Sequence, residues 1–237
     1  MFPDVKEDSY ALQAIEWARK AGIISGFPDG TFRPLEPVTR EQMAVMFYKQ
    51  SLRDGVFTDI LPEIMPSVVM VFAGAGLGSG VCIKNDGINS YILTNCHVVE
   101  AGSPYTIIKD GKANTPAELA KKGSVFDVDL AILKTTVNIP PCKIAVNPVE
   151  QGQAVCVVGS PSGLTDSVSV GIVSNPNRDM KWVQTDAHIN PGNSGGGMFN
   201  ELGELVGINV AKMSDPLIDG IGFAIMLELV KAFVQGA

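Results

Sequence analysis

The spacing of apolar residues changes near residue 56 of the chain, and this change predicts two regions of different structure. Between Tyr10 and Ala18, apolar residues recur at the period of an amphipathic helix, and Gly22 follows as a helix stop. Residues 39–42, Thr-Arg-Glu-Gln, have the sequence of a capping box, so a second helix is predicted to begin at Thr39. The apolar residues expected on its buried face are Met43, Val45, Met46, Phe47 and Leu52.

From Phe57 onward, short apolar runs alternate with segments rich in Gly, Asn, Asp and Pro, which predicts a series of short β-strands. Residues 84–87, Lys-Asn-Asp-Gly, have the composition of a hairpin turn. Residues 226–234 have a helical pattern. The predicted strands are 67–72, 80–84, 91–95, 105–109, 130–134, 154–159 and 205–210.

Composition and charge exclude several classes of protein. The 237 residues are 46% hydrophobic and 18% charged, as in globular proteins. A net charge of -7, spread along the chain, argues against nucleic acid or an anionic membrane surface as a partner. No apolar run reaches the roughly 20 residues of a membrane helix, so we expect no membrane span. The sequence begins without a signal-peptide pattern, which leaves an exported protein and a cytosolic or assembly-associated one both open.

The four cysteines leave the redox state open. They are Cys82, Cys96, Cys142 and Cys156. No C-x-x-C pair is present and the chain has two histidines, so we expect neither a zinc site nor another cofactor. Four cysteines allow three disulfide pairings, and four free thiols fit the sequence equally well.

Three separate segments together carry the residue types of nucleophilic catalysis. His97 ends one apolar run, Asp129 leads into another, with Asp127 as a nearby alternative acid, and Ser194 lies in a glycine-dense turn. A serine hydroxyl needs a neutral imidazole to take its proton, and the imidazole needs a carboxylate that fixes its tautomer. The glycines would let the amides of Gly192 and Ser194 converge on a developing oxyanion.

The same segments resemble the chymotrypsin-like serine proteases, and most closely their HtrA/Deg branch. The resemblance covers about residues 64–235. Its main motifs are Thr-Asn-Cys-His-Val-Val at 94–99, Asp-Leu-Ala-Ile-Leu at 129–133 and Gly-Asn-Ser-Gly-Gly at 192–196. Further matches are Val-Gly-Ser-Pro at 158–161, Val-Gly-Ile-Val-Ser at 170–174, Gln-Thr-Asp-Ala at 184–187 and Gly-Phe-Ala-Ile at 222–225.

This resemblance implies two six-stranded β-barrels with a catalytic triad in the cleft between them. His97 would be the general base, Asp129 its orienting acid and Ser194 the nucleophile, with Gly192 and Ser194 forming the oxyanion hole. The Asp-Leu-Ala match favours Asp129 over Asp127, which we place on the same strand face.

Three further positions bear on regulation and specificity. Digestive relatives carry an Asp at the position of Asn193, where it pairs with a freed N-terminal amine, so we expect no activation of that kind here. His188 stands where HtrA-like proteases usually have a small residue at the base of the specificity pocket, and Ile208 is expected to line the same pocket. His188 would favour acidic or small polar substrate side chains. The alternative is a neutral histidine bonded to backbone.

The first 56 residues resemble a single S-layer homology motif. The matching segments are Phe-Pro-Asp-Val at 2–5, Ala-Ile-x-Trp-Ala at 14–18, Gly-x-Pro-Asp-Gly-Thr-Phe-x-Pro at 26–34 and Val-Thr-Arg-Glu at 38–41. In that family the motif binds pyruvylated cell-wall polysaccharide, which implies that Arg40 grips the acidic sugar and Trp17 assists. The alternative places Arg40 on the surface and Trp17 in the core. The family usually has three tandem motifs and this chain has one, which predicts a homotrimer.

The sequence therefore predicts a mainly β protein, with a chymotrypsin-like double barrel at 57–237 and a small α-helical domain at 1–56. We expect a serine endopeptidase acting on protein or peptide substrates at a bacterial cell surface. A non-catalytic envelope or assembly protein that uses the protease fold as a scaffold is one alternative. A chaperone-like quality-control factor is another.

Overall fold

The computed structural model describes residues 2–6, 9–20, 22–46, 56–109, 114–160, 167–210 and 220–235. The chain divides into two compact units, Met1–Val56 and Phe57–Ala237.

The first unit is helical, and its helix boundaries follow the sequence signals. Helix α1 spans Leu12–Lys20, and Gly22 then adopts a φ of 70° and donates its N–H to the Arg19 carbonyl, which confirms the predicted stop. Helix α2 spans residues 40–46. The capping box before it is confirmed, because the Thr39 amide donates to Gln42 Oε1 at 2.9 Å and the Gln42 amide donates to Thr39 Oγ1 at 3.1 Å.

The buried face predicted for α2 is wrong for the residues that the structure describes there. Met43 and Val45 are 44% and 52% exposed, and Met46 is half-buried. The small core of this unit is built instead by Phe2, Val5 and Ile15 against α1 and its flanking segments. Phe47 and Leu52 lie outside the described residues.

The loop between α1 and α2 is held by two carboxylates. Asp29 accepts hydrogen bonds from the hydroxyl and amide of Thr31 and from the Arg33 guanidinium, and these contacts lower its pKa. Asp4 accepts the amide N–H groups of Phe32 and Arg33 at 2.9 and 2.6 Å, which lowers its pKa as well. The start of the chain is thereby tied to this loop.

Helix α3 (Val56–Ile64) belongs to the second unit from Phe57 onward. A 3₁₀ turn (Met65–Ser67) follows it, and then a closed six-stranded barrel in the order β1-β2-β3-β6-β5-β4. Alternate strand residues fill the barrel with Val, Ile and Leu side chains. The predicted hairpin is confirmed, because β2 and β3 pair up to Asn85 and Ser90. The strands are β1 Val68–Ala73, β2 Gly76–Asn85, β3 Ser90–Thr94, β4 Tyr105–Ile108, β5 Thr115–Lys122 and β6 Ala131–Thr135.

A second barrel follows, in the order β11-β8-β9-β10-β13-β12, and pairing between β11 and β12 closes it. Strand β7 adds to β12 in parallel, and helix α5 (Leu227–Val234) packs against β12 and β13. The strands are β7 Lys143–Ile144, β8 Ala154–Gly159, β9 Ser167–Arg178, β10 Trp182–Thr185, β11 Gly197–Asn200, β12 Glu204–Asn209 and β13 Gly222–Met226. The mainly β fold with two six-stranded barrels is therefore confirmed, as are the seven predicted strands.

All four cysteines lie in the described part of the chain and are free thiols. Burial raises the pKa of Cys156 and of Cys142 to about 12, with the neighbouring Cys82 thiol adding to the effect at Cys142. None of the helices in the described residues has the length and apolar character that a bilayer-spanning helix requires.

Candidate active site

His97 and Asp129 are joined by two hydrogen bonds in the first barrel. Strand β3 ends at Thr94, and the short helix α4 (Cys96–Val99) carries His97. One carboxylate oxygen of Asp129 lies 2.6 Å from His97 Nδ1, and the other accepts the His97 backbone N–H at 2.8 Å. The two side chains are only 15% and 10% exposed. The carboxylate therefore fixes the imidazole plane and leaves Nε2 available for proton transfer.

The buried side-chain amide of Asn95 binds the backbone of Asp129. Asn95 immediately precedes α4, and its side-chain N–H donates to the Asp129 carbonyl oxygen at 2.9 Å. This buried hydrogen bond connects the residue that follows β3 to the segment that leads into β6.

Asp127 occupies a different position from the one we predicted. Hydrogen bonds from Gly123 to Leu130 and from Ser124 to Val128 close a loop before β6, which begins only at Ala131. Asp127 lies in the turn of this loop and is exposed. The prediction that it shares a strand face with Asp129 is therefore wrong, since neither residue belongs to a strand and only Asp129 is buried.

Ser194 lies in the tight turn that connects β10 to β11 in the second barrel. The turn is closed by hydrogen bonds from Asn193 to the Asn190 carbonyl and from Gly196 to the Asn193 carbonyl, each 2.9 Å long. Gly195 has a φ of 85°, and a Cβ there would collide with the Ser79 carbonyl and the Thr94 hydroxyl, so only glycine fits. The turn is thus pressed against the first barrel.

Ser194 and His97 line the same cavity of about 250 Å³. The first barrel contributes Leu77 and Val98 to its wall, and the second contributes Pro191 and Gly192. Ser194 itself is only 5% exposed. A hydroxyl, an oriented imidazole and a glycine-rich turn thus face one small space, as nucleophilic attack on a carbonyl requires.

Ser79 on β2 holds the Ser194 turn from the first barrel, and the sequence reasoning missed it. Its amide donates to the Ser194 carbonyl and its hydroxyl donates to the Gly192 carbonyl, both at 2.7 Å. The same hydroxyl accepts the Ser160 amide at 2.8 Å, while the Ser79 carbonyl accepts the Thr94 hydroxyl at 2.7 Å. The sequence does contain a signal for this residue, because Ser79 is a single polar residue between two glycines in an apolar strand.

A family model described as a trypsin-like peptidase domain matches residues 78–208, more than half of the chain. The chain belongs to the trypsin-like peptidase family. The match includes His97, Asp129 and Ser194 together with most of β2. A second model, the S-layer homology domain, matches residues 2–44.

Relatives of this trypsin-like peptidase confirm the resemblance to HtrA proteases. The chain is 36% identical over 178 residues to the serine protease Do-like HtrA of Bacillus subtilis, which covers 68% of the chain and 39% of the relative. It is 35% identical over 179 residues to the serine protease HtrA-like of Staphylococcus haemolyticus, covering 67% of the chain and 28% of the relative. The chain therefore spans less than half the length of these curated relatives.

Solved structures show the same fold. The serine endoprotease from Yersinia pestis superposes with a TM-score of 0.65 at 33% identity, covering 85% of this chain and 67% of that one. The HtrA-type protease AlgWS227A with a tripeptide gives a TM-score of 0.68 at 30% identity, covering 76% of this chain and 62% of that one.

The two residues predicted for the specificity pocket of this trypsin-like peptidase, His188 and Ile208, have different environments. His188 is exposed, and its carbonyl accepts the Ser169 hydroxyl at 2.7 Å. Ile208 is buried in β12, where it pairs with Gly197 and Ile225. Among the described residues that line the cavity, neither is present.

Asn193 and the two sugar-binding candidates have contrasting environments. Asn193 is buried, and its side-chain oxygen has no hydrogen-bond partner among the described residues. In the S-layer homology unit, Arg40 is exposed in the first turn of α2, and Trp17 on α1 is 55% exposed. The surface position that the alternative gave to Arg40 agrees with the structure, whereas the core position that it gave to Trp17 is wrong.

Proposed function

We propose that the protein is a serine endopeptidase in which Ser194 is the nucleophile, His97 the general base and Asp129 the residue that orients His97. One observation carries the proposal: both oxygens of Asp129 bind His97, which shares a single cavity with Ser194. Family membership and the serine proteases among its relatives support the same reaction class.

The reaction would proceed in two halves. The Ser194 hydroxyl oxygen bonds to the carbonyl carbon of a peptide bond while His97 Nε2 takes the hydroxyl proton. The amides of Gly192 and Ser194 stabilise the negative charge on the carbonyl oxygen. His97 then gives the proton to the leaving amine, and the C–N bond breaks to leave an acyl-enzyme. In the second half, water attacks the ester with His97 again as base, which releases the acid and restores Ser194.

Labelling with a fluorophosphonate probe tests this proposal, because the probe reacts only with an activated serine. We expect the wild-type protein to be labelled and to cleave casein, and the Ser194→Ala and His97→Ala variants to do neither. Absence of Ser194-dependent labelling in the folded protein would favour a non-catalytic scaffold. Suppression of aggregation by the Ser194→Ala variant, without cleavage by the wild type, would favour a chaperone-like factor.

We propose that residues 1–56 form a separate domain that binds an acidic cell-wall polysaccharide and assembles the protease domain, 57–237, into a homotrimer at the cell envelope. The match to an S-layer homology domain supports this role, as does the exposure of Arg40 and Trp17. Exposed apolar side chains on α2, Met43 and Val45, offer a surface for neighbouring copies.

Two measurements on the full chain test these assignments. Arg40→Ala should abolish pulldown on pyruvylated cell-wall polymer, whereas Arg19→Ala, which changes another exposed arginine of this unit, should not. Val45→Glu should shift the mass measured by light scattering from trimer to monomer. Unchanged binding or unchanged mass would refute the corresponding assignment.

We also propose that His188 and Ile208 influence the residue accepted before the scissile bond. His188 is exposed, and its backbone carbonyl accepts the Ser169 hydroxyl, which supports a surface position where a substrate could reach it. A peptide-library cleavage profile should shift away from acidic or small polar residues in His188→Ala. The same profile in variant and wild type would refute a specificity role.

A further inference from the structure

We propose that Ser79 is a positioning residue that holds the peptide groups around Ser194 in the orientation needed for oxyanion stabilisation. This inference rests on the proposed peptidase function. Ser79 is fully buried on β2, yet both hydrogen-bonding capacities of its hydroxyl are used by backbone atoms of the second barrel.

Two peptide groups of the Ser194 turn are anchored by this one residue. The 192–193 peptide has its oxygen bound by the Ser79 hydroxyl and its N–H bound by the Asn190 carbonyl. The 194–195 peptide has its oxygen bound by the Ser79 amide and its N–H bound by the Asn209 carbonyl.

The peptide between these two anchors carries the Ser194 N–H, one of the two amides proposed for the oxyanion hole. Its carbonyl accepts the Gly196 amide, and its neighbours on either side are fixed by Ser79. The direction of the Ser194 N–H is therefore set by contacts made to adjacent peptides.

Glycines on both sides of Ser194 make such an anchor necessary. Gly192 has a φ of 101° and Gly195 a φ of 85°. Because glycine has few steric limits on rotation, the 192–193 peptide could turn if its carbonyl lost the Ser79 hydroxyl. Rotation of this peptide would change the backbone torsion angles between the Gly192 and Ser194 amides.

Loss of the Ser79 hydroxyl would also leave two backbone groups without this hydrogen-bond partner. The Gly192 carbonyl and the Ser160 amide both use this hydroxyl, and the Ser160 amide is buried, where an unpaired group is unfavourable. The turn is then expected to rotate until these groups find other partners. The substrate-binding surface formed by other residues would remain, so the loss should fall on kcat more than on KM.

The test compares Ser79→Ala with Ser90→Ala in the full-length protein. Ser90 is the control, because it is buried in the same barrel and its hydroxyl likewise donates to a backbone carbonyl, that of Val137, and accepts a backbone amide, that of Ile139. It also accepts the side-chain amide of Asn85. It lies in β3 and is bonded to neither of the turn carbonyls that Ser79 binds. Each variant is assayed on a fluorogenic peptide derived from a mapped casein cleavage site, and its melting temperature is recorded.

We expect Ser79→Ala to lower kcat about 10- to 100-fold, since complete loss of an oxyanion donor costs about 10²–10³-fold. KM should change less than about threefold, and the fluorophosphonate labelling rate should fall in parallel with kcat. Ser90→Ala should lower the melting temperature comparably while keeping kcat within about threefold of wild type.

A kcat for Ser79→Ala equal to that of Ser90→Ala would overturn the inference, as would a loss confined to KM. If Ser79→Ala does not fold, Ser79→Cys takes its place, because a thiol has nearly the same size but is a weaker donor. Lowered kcat with wild-type KM would then support the inference, and wild-type kcat would refute it. Failure of the peptidase proposal would look different, since wild-type protein would then show no Ser194-dependent labelling.

Discussion

Replacing Asp129 with Asn changes the acceptor that orients His97 while preserving the shape of the side chain. In the native site one carboxylate oxygen accepts from the His97 backbone and the other lies 2.6 Å from Nδ1. The asparagine side chain has only one acceptor oxygen, so it can accept only one of these two hydrogen bonds. If its oxygen stays on the backbone N–H, its NH₂ group faces Nδ1 and holds the imidazole in the tautomer that carries its proton on Nε2.

That tautomer cannot accept the Ser194 proton at Nε2, so the expected effect is large. In serine proteases with this arrangement the equivalent change lowers kcat about 10⁴-fold, which corresponds to roughly 5 kcal/mol of lost transition-state stabilisation. The Asp129 and His97 side chains are mostly shielded from water, so solvent should not replace the lost acceptor. We therefore expect a kcat reduction of about 10³–10⁴-fold with little change in KM.

The assay is steady-state cleavage of a fluorogenic peptide near neutral pH, with circular dichroism to establish folding. Asp127→Asn is the matched control, because it removes an exposed carboxylate two residues away in the turn before β6. It should leave kcat unchanged. If Asp129→Asn stays within tenfold of wild type, or if Asp127→Asn falls equally, the assignment of Asp129 is refuted.

Three further predictions concern packing, pH and thiol chemistry. Gly195→Ala should destabilise the fold by several kcal/mol beyond the roughly 1–2 kcal/mol expected for a left-handed alanine, because its Cβ meets Ser79 and Thr94. The first unit should lose stability in acid, since the folded-state pKa of Asp4 lies below its ordinary 3.8. Cys156, with a pKa of about 12, should resist iodoacetamide at pH 8 until the protein unfolds.

Each of these has a control or a contradicting result. Gly152→Ala measures the loss of stability caused by the left-handed backbone alone. Gly152 has a φ of 83°, and no atom lies within 4 Å of an added Cβ. For Asp4, the stabilisation is complete above its ordinary pKa and is lost as the pH falls toward the folded-state value, so Asp4→Asn should flatten the acid limb monitored by Trp17 fluorescence. Equal labelling of Cys156 in folded and urea-treated protein, measured by mass spectrometry, would contradict the third prediction.

Much of the fold could be predicted from short stretches of sequence, because strand and helix preferences depend on neighbouring residues. The capping box at Thr39, the stop at Gly22 and the hairpin before Ser90 all occur where local patterns indicated them. The three segments around His97, Asp129 and Ser194 could also be recognised, since each has a distinctive local composition.

Local patterns could not predict which face of α2 is buried. Met43 and Val45 have the spacing of a buried stripe, and periodicity says only that they share one side of a helix. Whether that side is covered depends on what packs there, which is a property of tertiary or quaternary contacts. The core of the unit is occupied by Phe2 and Ile15 instead.

The sequence by itself determined the positions of seven strands along the chain, the two units and the residue types available for catalysis. Only the tertiary structure decided that Asp129 reaches His97 while Asp127 remains on an exposed turn, because the loop before β6 buries one of two carboxylates that lie only two positions apart. It also decided the role of Ser79, whose partners Ser160, Gly192 and Ser194 lie 81 or more positions away in the other barrel. Contacts of this kind arise from the packing of two closed barrels, and no local pattern encodes them.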